Sequence, residues 1–288
     1  MKKLIGTTIV LVTVLLLSSC QKEYSSEAGN TNAGGGTIIG ADCRISKIAY
    51  NDSATGAAIG TISAIINAND NATDVTIFDS VSLTINFNSA PQYFTDTVAI
   101  DPDQYFIADI TTKRIKQLHG LIDPTVPGSP EFDVTYTYDV AGYLINKSYT
   151  YSLLPGFPYQ TVAYTYSGGN LIKMITKDEF TTDVIKDADL SYYTSIAPKN
   201  YLYLFPDEDT YAGFNQFYNF GKKPTNAVKS LKLRYYDPGN ILVDSAVSTF
   251  GSYIMSRDNY VLSAYMLGNN QGSIPATKGK LSFSYKCK

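Results

Sequence analysis

The sequence contains a single histidine, His119, and no tryptophan. A Ser-His-Asp or Cys-His catalytic arrangement would have to use that one imidazole, which we expect at a strand end in an exposed loop. Zinc sites built on several histidines are excluded for want of ligands. A P-loop, a dinucleotide-binding fingerprint and a nucleophile elbow are also missing. We therefore predict that the protein is not an enzyme and takes no metal or cofactor.

Charge and helix-forming residues are scarce as well. Charged residues make up 17% of the chain, the formal net charge is −3, and no basic stripe is present. Nucleic acid is therefore not an expected partner. Of the 26 acidic residues, 21 are aspartate, which favours turns where glutamate favours helix interiors. With 24 tyrosines and 12 prolines, this composition predicts many strands and turns and few helices.

The one long apolar run lies at the N-terminus. Lys2 and Lys3 precede the uncharged residues 4–17, which are too few to cross a bilayer comfortably and have signal-peptide proportions. The run ends in Leu-Ser-Ser-Cys at residues 17–20, which resembles a bacterial lipobox. The resemblance implies cleavage before Cys20 and lipidation of its sulfur, so the membrane would be a partner through that lipid. The alternative is an ordinary secretory signal with an incidental cysteine.

The residues after the lipobox indicate where the protein is carried. Lys22 and Glu23 resemble the surface-export signal of Bacteroidota lipoproteins, which implies the outer membrane, with its outer face as one option. The stretch that follows is rich in Ser, Gly, Asn and Thr and cannot bury a core. We therefore divide the chain into a lipoprotein signal peptide (1–19), a lipidated flexible tether (20–40) and a single β-rich domain (41–288).

Two cysteines remain if Cys20 carries lipid. Cys43 begins the first predicted strand, and Cys287 ends the last. Because disulfides persist in exported proteins, we predict that these two cysteines pair and join the first strand to the last. Two unpaired thiols at fraying strand ends are the alternative.

A strand-turn-strand repeat organises the folded part. Each copy has alternating tyrosines, a turn of Asp, Ser, Gly or Asn, and an aliphatic return strand. The copies are Tyr136–Ile145, Tyr164–Ile172 and a looser Tyr235–Leu242. The pattern predicts an all-β fold, a large curved antiparallel sheet of repeated hairpins. The proline-rich loop 123–131 is a candidate sub-boundary within it.

The repeat Tyr-x-Tyr-Asp-x-x-Gly-x-Leu and the segment 219–230 resemble a domain family of Bacteroidota lipoproteins described as porin-like, whose function is unknown. The resemblance covers residues 113–288, and Pro224, Thr225 and Ala227 depart from the family's pattern. It implies a strongly curved, half-barrel-like sheet and carries over no catalytic residues. It also implies a tethered domain beside the membrane, since charged residues here would interrupt the apolar outer band of a membrane-spanning barrel.

Acidic clusters are the remaining option for catalysis or metal binding. Asp207, Glu208 and Asp209 could hold a hydrolase pair or Ca²⁺. They also fit the start of a short helix near 207–220, where acids meet the helix dipole, and this interpretation is preferred. Residues 67–74 loosely resemble a calcium loop but lack its glycine and closing glutamate, so they predict a turn.

Asp-Ser or Asp-Thr followed by a small aliphatic residue is similar to the O-glycosylation acceptor of exported Bacteroidota proteins. The pattern makes candidates of Ser53, Ser80, Thr97 and Ser245. A second hypothesis concerns tyrosines that could line the concave face of the sheet and stack on sugar rings. The candidates are Tyr149, Tyr151, Tyr164 and Tyr166. Cross-strand packing is the alternative for these tyrosines.

Together these features predict a cell-envelope lipoprotein that binds or scaffolds something at the outer membrane without catalysis. One alternative is a glycan-binding module of a nutrient-uptake system. The other is a hydrolase that relies on carboxylates alone. The expected partners are the membrane, and a glycan or another envelope protein.

Overall fold

The computed structural model describes residues 43–79, 85–101, 103–122, 128–154, 156–206, 216–268 and 278–287. Seventeen strands lie in this part of the chain and form one sheet. They are β1 (Cys43–Asp52), β2 (Ala58–Ile66), β3 (Ala72–Asp79), β4 (Ile85–Ser89), β5 (Gln92–Tyr93), β6 (Thr97–Asp101), β7 (Gln104–Ala108), β8 (Ile115–Leu121), β9 (Glu131–Tyr138), β10 (Leu144–Tyr151), β11 (Pro158–Ser167), β12 (Asn170–Asp178), β13 (Val184–Tyr192), β14 (Val228–Asp237), β15 (Ile241–Met255), β16 (Val261–Gly268) and β17 (Lys278–Cys287).

The sheet is an antiparallel meander that closes on itself. Strands β1 to β4 and strands β5 to β17 each pair with the next strand along the chain, and β17 returns to pair with β1. Strands β4 and β5 run one after the other in the same direction, where β4 pairs with β3 and β5 pairs with β6, and the Ser89 hydroxyl at the end of β4 donates to the Ile100 carbonyl of β6 (2.5 Å). The predicted all-β hairpin fold is confirmed, and the sheet curves beyond a half-barrel to a nearly closed barrel.

The predicted repeats are hairpins of this sheet. In the first, the Asp139 amide donates to the Tyr143 carbonyl (2.9 Å), and Gly142 has a φ of 94°, which glycine adopts without the steric cost of a side chain. The second and third copies form the β11–β12 and β14–β15 hairpins. Turn chemistry and alternation are local properties of the sequence, so they were readable without the rest of the fold.

The seam between β1 and β17 closes the barrel. Cys43 and Cys287 lie directly opposite each other in its register, and they form a disulfide. At the other end of the seam, Gly279 lies against the Tyr50 ring, and a Cβ on Gly279 would collide with that ring. The loop at 123–131 does not interrupt the sheet, because β8 and β9 on either side of it are paired.

Alternation sends apolar residues inward and polar residues outward. On β9, Val134 and Tyr136 are buried, whereas Thr135 and Thr137 are exposed. On the outer face of β13 and β14, Arg234 forms ion pairs with two carboxylates. Its Nε lies 2.6 Å from an oxygen of Asp187, and its Nη2 lies 2.5 Å from one of Asp189. This part of the outer face therefore carries hydroxyl and charged groups.

The connection between β13 and β14 covers one end of the barrel. We call its described residues, 193–206 and 216–227, the cap segment. Residues 201–204 (Tyr-Leu-Tyr-Leu) are all buried, and such an apolar and aromatic run is typical of a strand. They are nevertheless not part of any strand, and both sides of this stretch pack in the core. The predicted helix near 207–220 falls mostly on residues 207–215, outside the described residues. Of the remaining residues, Gln216 lies in a 3₁₀ turn and 217–220 are not helical.

Aromatic rings anchor the cap segment inside the barrel. Phe220 is completely buried, with its ring centroid 5.7 Å from that of Phe106 and 5.2 Å from that of Tyr136. Phe205 lies 5.4 Å from Tyr164 in the same way. The cap segment therefore packs against β7, β9 and β11 and forms part of the hydrophobic core.

Backbone hydrogen bonds join the cap segment to the turns at the same end. The Lys222 amide donates to the Gly142 carbonyl (2.8 Å), and the Thr225 amide donates to that of Gly169 (3.1 Å). Asn219 accepts from the Ile115 amide (2.9 Å). We call this end the capped end. In the part of the chain that the structure describes, no helix is long and apolar enough to span a membrane.

Candidate ligand-binding site

A cavity of about 1020 Å³ opens at the capped end. Its walls come from the cap segment, the start of β1 and the turns β2–β3, β5–β6, β7–β8 and β9–β10. These turns meet there because successive connections of an up-and-down sheet alternate between its two ends, with β4 and β5 running in the same direction as one interrupted strand. The cavity has the size and the mixed lining expected of a small-molecule site.

The described part of the cavity lining carries more cations than anions. Among the lining residues that the structure describes, four side chains are basic, Arg44, Lys113, Lys222 and Lys223, and two are acidic, Asp70 and Asp96. The Arg44 guanidinium is fixed in place, with Nη1 3.1 Å from a carboxylate oxygen of Asp70 and Nη2 donating to the Phe217 carbonyl (2.5 Å). Among the described residues, no carboxylate lies within ion-pair distance of the three lysines.

Two of these lysines lie over aromatic rings. Lys222 Nζ is 5.3 Å from the centroid of Tyr143, and Lys223 Nζ is 4.9 Å from that of Tyr203. Burial, with a smaller contribution from the Arg44 guanidinium, lowers the pKa of Lys223 to about 7. An anionic group close to Lys223 would favour its charged form and reverse this effect.

Aromatic rings and amide side chains make up most of the remaining lining. The rings are those of Tyr93, Phe94, Tyr143, Tyr201, Tyr203, Phe217 and Tyr218, and the amides are those of Asn69, Asn71, Asn200, Gln216 and Asn219. Hydrogen bonds hold several of them. Tyr203 donates to the Gly221 carbonyl (2.9 Å), and Gln216 accepts from the Tyr203 amide (3.0 Å) and donates to its carbonyl (2.9 Å). This wall is therefore preorganised.

The tyrosines predicted to face a ligand lie on the inner side of the barrel and do not line this cavity. Tyr149 and Tyr164 are only 6% and 5% exposed, so neither ring face is open to a sugar. Tyr151 stacks on Tyr159 with centroids 3.9 Å apart, and Tyr166 packs on Tyr143 at 4.7 Å. Ring packing inside the filled barrel, rather than an open concave face, accounts for their positions.

The candidate O-glycosylation residues differ in their settings. Ser53 is exposed, in the turn between β1 and β2. Thr97 begins β6, where its hydroxyl donates to the Asp96 carboxylate (3.1 Å). Ser245 is half-buried in β15, opposite Arg234 of β14, and Ser80 lies outside the described residues. Ser53 is therefore the most accessible of the three that the structure describes.

His119 lies within β8 and not in an exposed loop. Its Nδ1 is 3.0 Å from a carboxylate oxygen of Asp133 on β9. The same oxygen accepts a hydrogen bond from the side-chain Nε2 of Gln117 (2.8 Å). The ring stacks on Tyr105 with centroids 4.8 Å apart. The sequence missed this pair because the strand register that brings residues 119 and 133 together is not visible locally.

The acidic clusters give no metal site in the part of the chain that the structure describes, where three or more metal-ligating side chains do not gather. Asp207, Glu208 and Asp209 lie outside the described residues. Residues 67–71 form a turn, in which the Asn67 side-chain oxygen accepts from the amides of Asn69 (2.9 Å) and Asn71 (3.1 Å). This is the turn that the sequence predicted.

Two solved structures resemble this one over most of their length. A porin-like protein from Bacteroides uniformis ATCC 8492 superposes with a TM-score of 0.59 at 12% sequence identity, covering 84% of this chain and 98% of the other. The chain shares the fold of that porin-like protein. A second, from Bacteroides vulgatus ATCC 8482, gives a TM-score of 0.50 at 10% identity, covering 84% and 99%. No protein-family model and no curated protein matches the sequence.

The sequence analysis singled out the segment that contains two of the cavity lysines, but it did not predict that these lysines form a site. Lys222 and Lys223 belong to the segment 219–230 that carries the family resemblance. No periodicity distinguishes them from surface lysines, because the cap segment is not a regular element. Their meeting with Arg44, which is far away in the chain, depends on the closure of the barrel.

Proposed function

We propose that this protein is a lipid-anchored component of the Bacteroidota outer membrane that binds a ligand without catalysis, and that the cavity at the capped end is its binding site. The observation that carries the proposal is the preorganised cavity itself. About 1020 Å³ of space is lined by fixed aromatic, amide and cationic groups. A purely structural protein has no need of such a site.

The cap segment supports binding over conduction. Its aromatic rings pack in the barrel core against three strands of the wall, β7, β9 and β11. The interior also contains Lys147, which is completely buried, with its ammonium 5.5 Å from the Tyr136 ring centroid. A water-filled channel of the kind found in porins needs a polar, open lumen, and the described interior is packed. In this proposal the fold shared with porin-like proteins therefore serves to bind a ligand and not to form a water-filled channel.

The anchor in this proposal is lipid on Cys20. The lipobox-like sequence motivates it, and the polar outer face of β13 and β14 supports a barrel that sits beside the bilayer rather than within it. The chain enters the barrel at Cys43, whose carbonyl accepts from the Asn200 side chain of the cap segment (2.8 Å). The tether would therefore join the protein at the capped end.

Replacing the anchor residue tests this location. We expect Cys20→Ser to move the protein from the membrane fraction to the aqueous phase, because a single serine cannot carry the acyl chains that hold it there. Detergent phase partitioning and intact mass measure the effect. Ser53→Ala, which leaves Cys20 in place, is the control. A Cys20→Ser protein that stays fully membrane-bound would contradict lipid anchoring.

The second candidate function is capture of a glycan for uptake. Aromatic rings beside amide groups are the usual partners of sugar rings and hydroxyls, and both line the cavity. The candidate surface is now this cavity and not the face that carries Tyr149. A hydrolase would need two carboxyl groups facing each other. Of the two acids among the lining residues that the structure describes, Asp70 is already paired with Arg44.

A cavity variant tests the binding role. Phe94 lines the cavity with 62% of its surface exposed, whereas Phe157 is 73% exposed in the β10–β11 loop at the opposite end. We expect glycans that raise the melting temperature of the wild type to bind Phe94→Ala about 3–10-fold more weakly, the worth of one ring contact. Phe157→Ala should bind normally. A thermal-shift screen of a broad glycan array without any cavity-dependent hit would overturn the proposal.

A further inference from the structure

We infer that the cavity at the capped end takes an acidic saccharide, whose carboxylate or sulfate group lies between Lys222 and Lys223 while its sugar ring packs on neighbouring aromatic side chains. This inference rests on the proposed function and narrows it to one class of ligand. It is carried by the surplus of cations in the lining and by their arrangement over aromatic rings.

The described lining and the whole chain differ in the sign of their net charge. The chain as a whole carries a formal charge of −3, yet the lining residues that the structure describes include four basic and two acidic side chains, a difference of two positive charges. Arg44 uses the Asp70 carboxylate, so the surplus rests on the lysines. Such a site attracts an anion from solution and favours it over neutral competitors.

The position of Lys223 strengthens the case. Its ammonium is partly buried and lies on the Tyr203 ring, without a carboxylate partner among the described residues. Taking a charge out of water without a partner is costly, and a bound anion would remove that cost. Lys222, its neighbour in the chain, is exposed, lines the same cavity and lies on Tyr143, so two cations of adjacent residues line the same space.

The rest of the lining fits a sugar better than a simple inorganic anion. Phosphate or sulfate would fill a small fraction of about 1020 Å³. The exposed ring of Phe94 and the amide groups of Asn69 and Asn71 line the same space. They supply the apolar face and the hydrogen-bonding groups that a saccharide uses. An acidic oligosaccharide satisfies the charged and uncharged parts of the wall together.

The test is calorimetric titration of the lipidated mature protein in detergent at low salt. The acidic probes are tetragalacturonate and a heparin tetrasaccharide, the neutral probe is maltotetraose, and inorganic sulfate is a separate arm. We expect the acidic probes to bind at least tenfold more tightly than maltotetraose and sulfate. Lys222→Gln/Lys223→Gln should lose about tenfold or more of that affinity. Lys177→Gln, an exposed lysine of β12 outside the cavity, should bind as the wild type does.

The pH dependence of the affinity for the acidic probes gives a second test. A purely structural role of Lys223 would not make this affinity depend on pH. Its pKa of about 7 means that the free protein carries the charge at pH 6 and has mostly lost it at pH 8. Affinity for the acidic probes should therefore fall about tenfold over this interval. The other charged side chains that line the same space are those of Arg44, Lys113, Lys222, Asp70 and Asp96. Burial raises the pKa of Tyr203, which Lys223 overlies, so this hydroxyl stays neutral over the interval. Lys223→Arg should bind with a flat pH profile.

Three results would overturn the inference. If maltotetraose bound as tightly as the acidic probes and the lysine variants bound normally, the cavity would be a neutral-glycan site, and the proposed binding function would stand. If neither acidic nor neutral probes bound and the wider glycan screen also had no cavity-dependent hit, both this inference and the proposed binding function would fail. Sulfate binding as tightly as the acidic tetrasaccharides would also overturn it, because the sugar would then contribute nothing.

Discussion

Replacing both Cys43 and Cys287 with alanine is expected to lower the free energy of unfolding by about 4–5 kcal/mol. The disulfide closes a loop with a sequence separation of 244 residues, and long loops restrict the unfolded chain most. For a domain of this size the loss corresponds to a fall of about 10–15 °C in melting temperature. Thermal and urea unfolding, followed by circular dichroism, measure both quantities. Each single variant should lose the same amount, since either one abolishes the bond.

The third cysteine provides the matched control. Cys20→Ser removes a cysteine from a part of the chain that precedes β1, so it should leave the melting temperature unchanged. The backbone pairing of β1 with β17 involves no sulfur atoms, and we therefore expect a less stable protein with the same fold. Equal melting temperatures for the wild type and the double variant would show that the seam holds without the bond.

Much of the barrel was predictable because its signals are local. The turn at 139–143 combines an aspartate, a glycine at positive φ and flanking alternation, and each of these can be read within ten residues. The cysteines at the ends of the first and last strands suggested that these two strands are adjacent, and the pairing of these strands closes the barrel. Neither signal revealed that the meander would curve into a nearly closed barrel, because curvature accumulates over all the strands.

The cap segment was not predictable in the same way. Tyr201 to Phe205 alternates tyrosine with leucine and phenylalanine, and a strand is the natural interpretation of so apolar and aromatic a run. The structure buries both sides of it, which requires a surrounding barrel that no local window contains. For the same reason, the sequence could show that Tyr149 and Tyr164 lie on one face of the sheet. It could not show that the space on that side is filled by other side chains.

Phe220→Ala is expected to destabilise the protein by about 3–5 kcal/mol, the cost of removing a large aromatic side chain from a packed core. Phe220 is fully buried. Its ring meets those of Phe106 (5.7 Å), Tyr136 (5.2 Å) and Tyr203 (6.2 Å), so it joins the cap segment to two strands of the wall. The next residue, Gly221, has a φ of 86° and no room for a Cβ against the Gly142 carbonyl. The backbone there has little freedom to close the space.

The control for this prediction is Phe157→Ala, which removes an identical ring from an exposed loop and should change stability by no more than about 0.5 kcal/mol. Phe220→Leu keeps much of the volume and should fall between the two. Because the cap segment also forms a wall of the cavity, Phe220→Ala should weaken ligand binding as well as folding, whereas the disulfide variant should weaken folding alone. If Phe220→Ala were as stable as the wild type, the cap segment would be a detachable cover, and the cavity behind it could not be a preorganised site.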